Sequence, residues 1–278
     1  MKPIKTHSKN RRARNKKIAE ETVEILKQGY YEIGERRYKI REVIEWAIKN
    51  SKHYTSKELK ILSKKDFSGN FDTNITVANV DTFTATKELE RPVVLNFASG
   101  KYPGGGFLKG AQAQEECLTR ASGLFPCISQ MSEMYSIHRK AKAPFYTNDM
   151  AYSPGVLVFR DENDNLVDDP FKTAIITSPA INIGYIKDKS DDFMDLVERK
   201  MVIRTLNMLS LAASYKHKDI VLGAWGSGVF GLPKGMMPLI FKWYLDNSFK
   251  GTFQNVIFAV LDTSKEEYYI EPFKKVFL

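Results

Sequence analysis

From Asn74 onward, short runs of β-branched and aliphatic residues alternate with stretches of helical periodicity. The runs lie at 75–79, 93–97, 155–160, 174–178, 220–224 and 256–261. Two of them contain segments, Val93-Val94-Leu95 and Ile220-Val221-Leu222, that are apolar at every position. A strand turns successive side chains to opposite faces, so these two must be covered on both sides and belong at the centre of a sheet. Helical spacing fits between the runs at 82–90, 114–122, 129–141, 191–215 and 235–247. The alternation predicts an α/β fold with a mixed or parallel central sheet flanked by helices. Ahead of it, helices are expected at 10–28, ending at Gly29, and at 41–52, joined by a short turn. The expected organisation is a basic arm over 1–17, an N-terminal helical extension over 18–73 and an α/β domain over 74–278.

With 278 residues, 43% of them hydrophobic, the chain can bury a large core. The net charge of +9 is concentrated at one end. Residues 1–17 carry eight Lys or Arg and no acid, which leaves 34 bases against 33 acids elsewhere. Such an arm can hold a polyanion, nucleic acid included, by counterion release, or can be a solvated tail running into a helix. The second reading is preferred because no aromatic residues interleave with the charges. Cys117 and Cys127, with His7, His53, His138 and His217, match no zinc or disulfide spacing. No run reaches the roughly 18 apolar residues of a membrane span, and the expectation is a cytoplasmic protein with no membrane partner, metal or cofactor.

In an open α/β sheet, ligands sit beyond the carboxyl ends of the strands. Two loops at such points are rich in glycine. One runs from Asn96 through Gly104-Gly105-Gly106 to Phe107, and the other is Gly226-Ser227-Gly228-Val229-Phe230-Gly231. Clustered glycines let backbone amides converge on an anion such as a diphosphate, although one such loop alone is equally an ordinary tight turn. Neither loop has the spacing of a dinucleotide-binding or P-loop motif, and Trp225 breaks the nucleophile-elbow pattern around Ser227. Gln114-Glu115-Glu116 opens a helix just after the first loop. Acids in a first turn complement the helix dipole and are uninformative by themselves.

Taken together, Asn96-Phe97-Ala98-Ser99, the triple glycine, and Gln114-Glu115-Glu116 after seven further residues resemble the bacterial-type poly(ADP-ribose) glycohydrolase family. The segment 226–230 is similar to the second phosphate loop of that family and of macrodomains generally. The resemblance implies a macrodomain fold that binds ADP-ribose between the two loops and hydrolyses the ribose–ribose bond of poly(ADP-ribose). It places the catalytic acid at Glu116, with an elevated pKa and Glu115 as both its perturber and a ribose ligand. It assigns ribose contact to Asn96, support of the loop to Gln114, and phosphate donors to Gly104, Gly105, Gly106, Gly226, Ser227, Gly228 and Val229. Phe107 joins the substrate-binding set, and Phe230 packs against ribose and diphosphate or is a core aromatic. Adenine-pocket candidates are Asn79, Asp81 and Asp262, the last of which equally suits capping the helix after it. The implied partners are ADP-ribose and its polymer, on proteins or free. A reader that binds without cleavage and a hydrolase of mono-ADP-ribosyl groups on protein or nucleic acid are the alternatives.

Overall fold

The computed structural model describes residues 4–141 and 144–278, so the first three residues of the basic segment lie outside it. The chain opens with helix α1 (Ile4–Gln28), hairpin β1 (Tyr30–Ile33) and β2 (Arg36–Lys39), and helix α2 (Arg41–Asn50). Next come β3 (Lys52–Tyr54), α3 (Ser56–Leu62), β4 (Asn74–Ala78) and β5 (Pro92–Phe97). Three helices follow: α4 (Gln114–Ala121), α5 (Leu124–Ser129) and α6 (Ser132–Lys140). The rest is β6 (Met150–Arg160), β7 (Leu166–Ser178), α7 (Asp191–Ser214), β8 (Asp219–Leu222), α8 (Met236–Asp246), β9 (Asn255–Ala259) and α9 (Glu271–Phe277). Among the described residues no helix is long and apolar enough to cross a membrane.

Seven strands form one mixed sheet in the order β3-β6-β7-β5-β8-β9-β4. The strands from β7 to β4 pair in parallel, while β6 joins β7 and β3 joins β6 antiparallel. The two all-apolar segments lie in β5 and β8, side by side at the centre. Val93, Leu95, Ile220 and Leu222 pack with Met201, Met208 and Phe241 of α7 and α8. Val94 and Val221 pack on the opposite face with Leu118, Leu124 and Ile128 of α4 and α5. This two-sided burial is what the sequence demands of these strands, and truncating any of these side chains to Ala costs about 2–5 kcal/mol.

Several elements depart from the sequence expectation. Helix α1 begins at Ile4 rather than Asn10, so residues 4–17 are helical and continuous with residues 18–28. Asn15, Ala19, Thr22 and Ile25, spaced three and four apart, form its buried stripe. Residues 82–90 form turns rather than a helix. The Asp81 carboxylate accepts the Phe83 and Thr84 amides, and Thr86 Oγ1 donates to the Thr82 carbonyl, local bonds that compete with a helical ladder. The helix expected over 129–141 begins later, as α6 at Ser132, and the preceding α5 over 124–129 has no counterpart in the sequence reading. Strand β6 starts at Met150, not Gly155, because a register shift between Ser153 and Val156 lets it run through Pro154-Gly155. The β1–β2 hairpin, β3, α3 and α9 have no counterpart in the sequence reading, being too short to show periodicity.

Candidate active site

Asn96, Gly223 and Asn79 lie at or just beyond the carboxyl ends of β5, β8 and β4. There a cleft of about 1400 Å³ opens, lined by both glycine loops and by Glu115 and Glu116. Glu116 is the third residue of α4, and its side chain turns back so that Oε2 accepts the Ala113 amide at 3.0 Å. This is half of a capping box, since Ala113 has no side-chain acceptor to complete it. Its other oxygen, Oε1, accepts the Gly106 amide at 2.9 Å. The carboxylate is thereby fixed between the glycine turn and the helix start.

Glu115 reaches the same place from its neighbouring position. Its Oε2 accepts the Ser99 amide at 2.7 Å, and Oε1 accepts from Asn96 Nδ2 at 3.4 Å. A Cβ placed on Gly105 would lie 2.4 Å from Glu116 Oε1 and 2.9 Å from Glu115 Oε2, so both carboxylates converge over that glycine. Gly105 also has φ +58°, a conformation that L side chains rarely adopt. Side chains one residue apart on a regular helix diverge by about 100°. They meet here because both belong to the first turn of α4 and fold back toward the loop.

Burial pushes the Glu115 carboxyl up to about 8, opposed by the Ser99 amide and reinforced by the charge of Glu116. Glu115 is 3% exposed against 9% for Glu116, so burial bears hardest on Glu115. Asn96 is fully buried, donating also to Thr177 Oγ1 at 3.2 Å, and its Oδ1 has no partner among the described residues. Gln114 does what a loop support must: Oε1 accepts the Phe97 amide, and Nε2 donates to the Leu95 carbonyl and Thr82 Oγ1. Burial raises the Cys117 thiol, and its sulfur lies 3.4 Å from Gln112 Nε2, facing no histidine.

The two glycine loops differ in what their amides do. In the first, Gly105 donates to the Tyr102 carbonyl, Gly106 to Glu116 and Phe107 to the Gly104 carbonyl. The expectation that Gly105 and Gly106 present free donors is corrected on this point, because their N–H groups bond within the chain and hold the first glycine loop together. Phe107 is likewise not an open ligand surface: its ring is 1% exposed and packs on Phe125 with centroids 4.7 Å apart. In the second loop the Ser227 amide donates to the Ala224 carbonyl, and Leu232 closes the turn onto Gly226. The amides of Gly228, Val229 and Phe230 donate to no acceptor among the described residues. Trp225 sits wholly buried beneath, donating to the Ser178 carbonyl, and the hydroxyl of Ser227 is buried without a partner among the described residues. Val229 is 83% exposed, Phe230 half-buried at the cleft wall.

Asn79 and Asp262 form a reciprocal pair between β4 and β9, Nδ2 donating to the Asp262 carbonyl and Oδ1 accepting its amide, both at 2.9 Å. The Asp262 carboxylate accepts from Ser264, Tyr269 and Ile270. Although burial acts upward, these bonds hold its pKa at about 2. Its side chain therefore organises the loop leading to α9, and that of Asp81 closes its own turn. Sequence reasoning missed Gln112 and the two residues that donate to its Oε1 beside the first glycine loop, Asn15 and Arg120. Asn15 and Gln112 are 97 positions apart, and no local motif links them.

Residues 19–161 match the family model described as microbial-type PARG, catalytic domain. No curated protein matches the sequence. Among solved structures, the chain is similar to the poly(ADP-ribose) glycohydrolase of Thermomonospora curvata bound to the inhibitor ADP-HPD. That match has 35% identity and a TM-score of 0.89 over 95% of this chain and 100% of that one. The Deinococcus radiodurans poly(ADP-ribose) glycohydrolase in complex with ADP-ribose matches at 33% identity and a TM-score of 0.80, over 84% of this chain and 96% of that one. With a family match over half its length and such identity across nearly all of it, the chain belongs to the microbial-type poly(ADP-ribose) glycohydrolase family.

Proposed function

We propose that the chain hydrolyses the O-glycosidic ribose–ribose bond of poly(ADP-ribose) and releases ADP-ribose, with Glu116 as general acid and base. The observation that carries this reading is the convergence of Glu115 and Glu116 over Gly105, inside a cleft whose far wall offers unpaired amides. Hydrolysis of such a bond develops positive charge on the anomeric carbon and negative charge on the departing oxygen. Below about pH 8 the buried Glu115 carboxyl keeps its proton, which spares the site a second negative charge beside Glu116. Glu116, the more open member, donates a proton to the leaving ribose hydroxyl and then, as carboxylate, takes one from the attacking water. Glu115 and Asn96 orient the ribose from below, and the amides of Gly228, Val229 and Phe230 hold the diphosphate.

Residues 74–278 carry the cleft in this reading, and residues before 74 buttress it. A reader that binds ADP-ribose without cleavage would need the second loop and gain nothing from two buried carboxyls whose desolvation opposes folding. The test is Glu116→Gln assayed for ADP-ribose released from poly(ADP-ribose). Turnover is expected to fall by about a thousandfold or more, with ADP-ribose affinity within a few-fold of wild type. Undiminished turnover would remove Glu116 from the reaction.

A further inference from the structure

Helix α1 meets the active site from behind. The Arg12 guanidinium donates through Nε to the Lys109 carbonyl at 2.8 Å, and a Cβ on Gly110 would lie 2.0 Å from the Arg12 carbonyl oxygen. Asn15, 1% exposed, donates from Nδ2 to Gln112 Oε1 at 2.6 Å. Arg120, also 1% exposed, donates from Nη1 to the Ala111 carbonyl and from Nη2 to the same Gln112 oxygen, each at 2.9 Å. Its Nε faces Asp164 at 3.3 Å, and its own carbonyl accepts from Thr22 Oγ1 of α1 at 2.7 Å. Residues 109, 111 and 112 are therefore each tied down from outside the loop. Residue 113, next in the chain, supplies one of the two amides that fix Glu116, and residue 106 supplies the other.

Nothing in hydrolysis requires a fully buried arginine at position 120 or a buried asparagine in a helix 97 residues away from its partner. A fork that binds two acceptors of one loop segment does have a mechanical consequence. It sets the distance between the Gly106 and Ala113 amides, and so the direction of the carboxylate hung between them. We infer that Arg120 and Asn15 are positioning residues that act through Gln112 and the 109–113 segment to aim Glu116, making α1 part of the active-site support. This inference rests on the glycohydrolase reading above.

The experiment measures kcat and KM for ADP-ribose release from poly(ADP-ribose) by the full chain, with calorimetric ADP-ribose binding and melting temperature recorded for each variant. Asn15→Ala suits the helix, since Ala is the strongest helix former. It is expected to lower kcat about tenfold, since small displacements of a catalytic group are expensive in rate. Gln112→Ala should act similarly, and Arg120→Lys, which keeps the charge but not the fork, should lower kcat about a hundredfold. ADP-ribose affinity stays within about twofold throughout, because the second loop is untouched. The Asn15→Ala, Gln112→Ala double variant should be no slower than Gln112→Ala alone, since both remove the same bond.

Three results overturn the inference: unchanged kcat in the single variants, multiplicative losses in the double variant, or affinity that drops in step with kcat. A wild-type chain without turnover overturns the glycohydrolase reading and the inference together. An active wild type with unaffected variants overturns the inference alone.

Discussion

Gly105 and Gly106 donate their amides to Tyr102 and Glu116, whereas Gly228, Val229 and Phe230 across the cleft donate theirs to nothing in the described chain. The two loops look alike in sequence, each a glycine cluster after a strand, yet they are wired in opposite senses. The first closes upon itself and presents a carboxylate. The second, stiffened from below by Trp225 and by Leu232 closing onto Gly226, presents bare N–H groups. Glycine content tells where a backbone is tightly turned, and only the partners of its amides tell whether it holds protein or ligand.

That contrast can be broken most sharply at Gly105. The change Gly105→Ala places a methyl 2.4 Å from Glu116 Oε1 at a φ of +58°. It should reduce turnover about a hundredfold while ADP-ribose affinity changes little. Equal losses in both, measured by steady-state kinetics and calorimetry, would mean that the first loop also grips the ligand.

The mirror experiment is Gly226→Ala, where φ is +80° and the new Cβ would meet Leu232 Cδ1 at 2.5 Å. Strain of about 1–2 kcal/mol should shift the second loop and weaken ADP-ribose binding about tenfold, with kcat within a few-fold of wild type. A variant that keeps its affinity would argue against diphosphate binding by this loop.

The smallest effect concerns pH. Glu115 has a folded-state pKa of about 8 against an ordinary 4.5. Between those values the folded protein holds a proton that the unfolded chain has lost, so stability falls as pH rises through this window and levels off above it. Glu115→Gln removes that slope, and its melting temperature should gain on wild type from pH 5 to pH 8. A difference constant over that range would show that the proton is not on Glu115.

The sheet was legible because its signal is local: Val93 to Leu95 and Ile220 to Leu222 must be covered on both faces wherever they occur. The residues around Glu116 were legible for another reason, since resemblance to a family signature supplied what spacing alone did not. Three things escaped. Residues 82–90 have helical spacing, but the side chains of Asp81 and Thr86 satisfy the backbone locally instead. The raised pKa of Glu115 escaped, because burial depends on which side chain the fold tucks under Asn96 and Ser99. The tie from Asn15 to Gln112 joins segments with no sequence relation, and only the folded chain brings them together.

The unpaired amides of the second loop have a kinetic corollary. Under the proposed reaction the diphosphate they hold is chemically unchanged by cleavage, so the released ADP-ribose fits that loop as well as the polymer end does. Product therefore competes with substrate for the same donors, and the rate at which it escapes Gly228, Val229 and Phe230 sets an upper bound on how fast the enzyme can clear a chain.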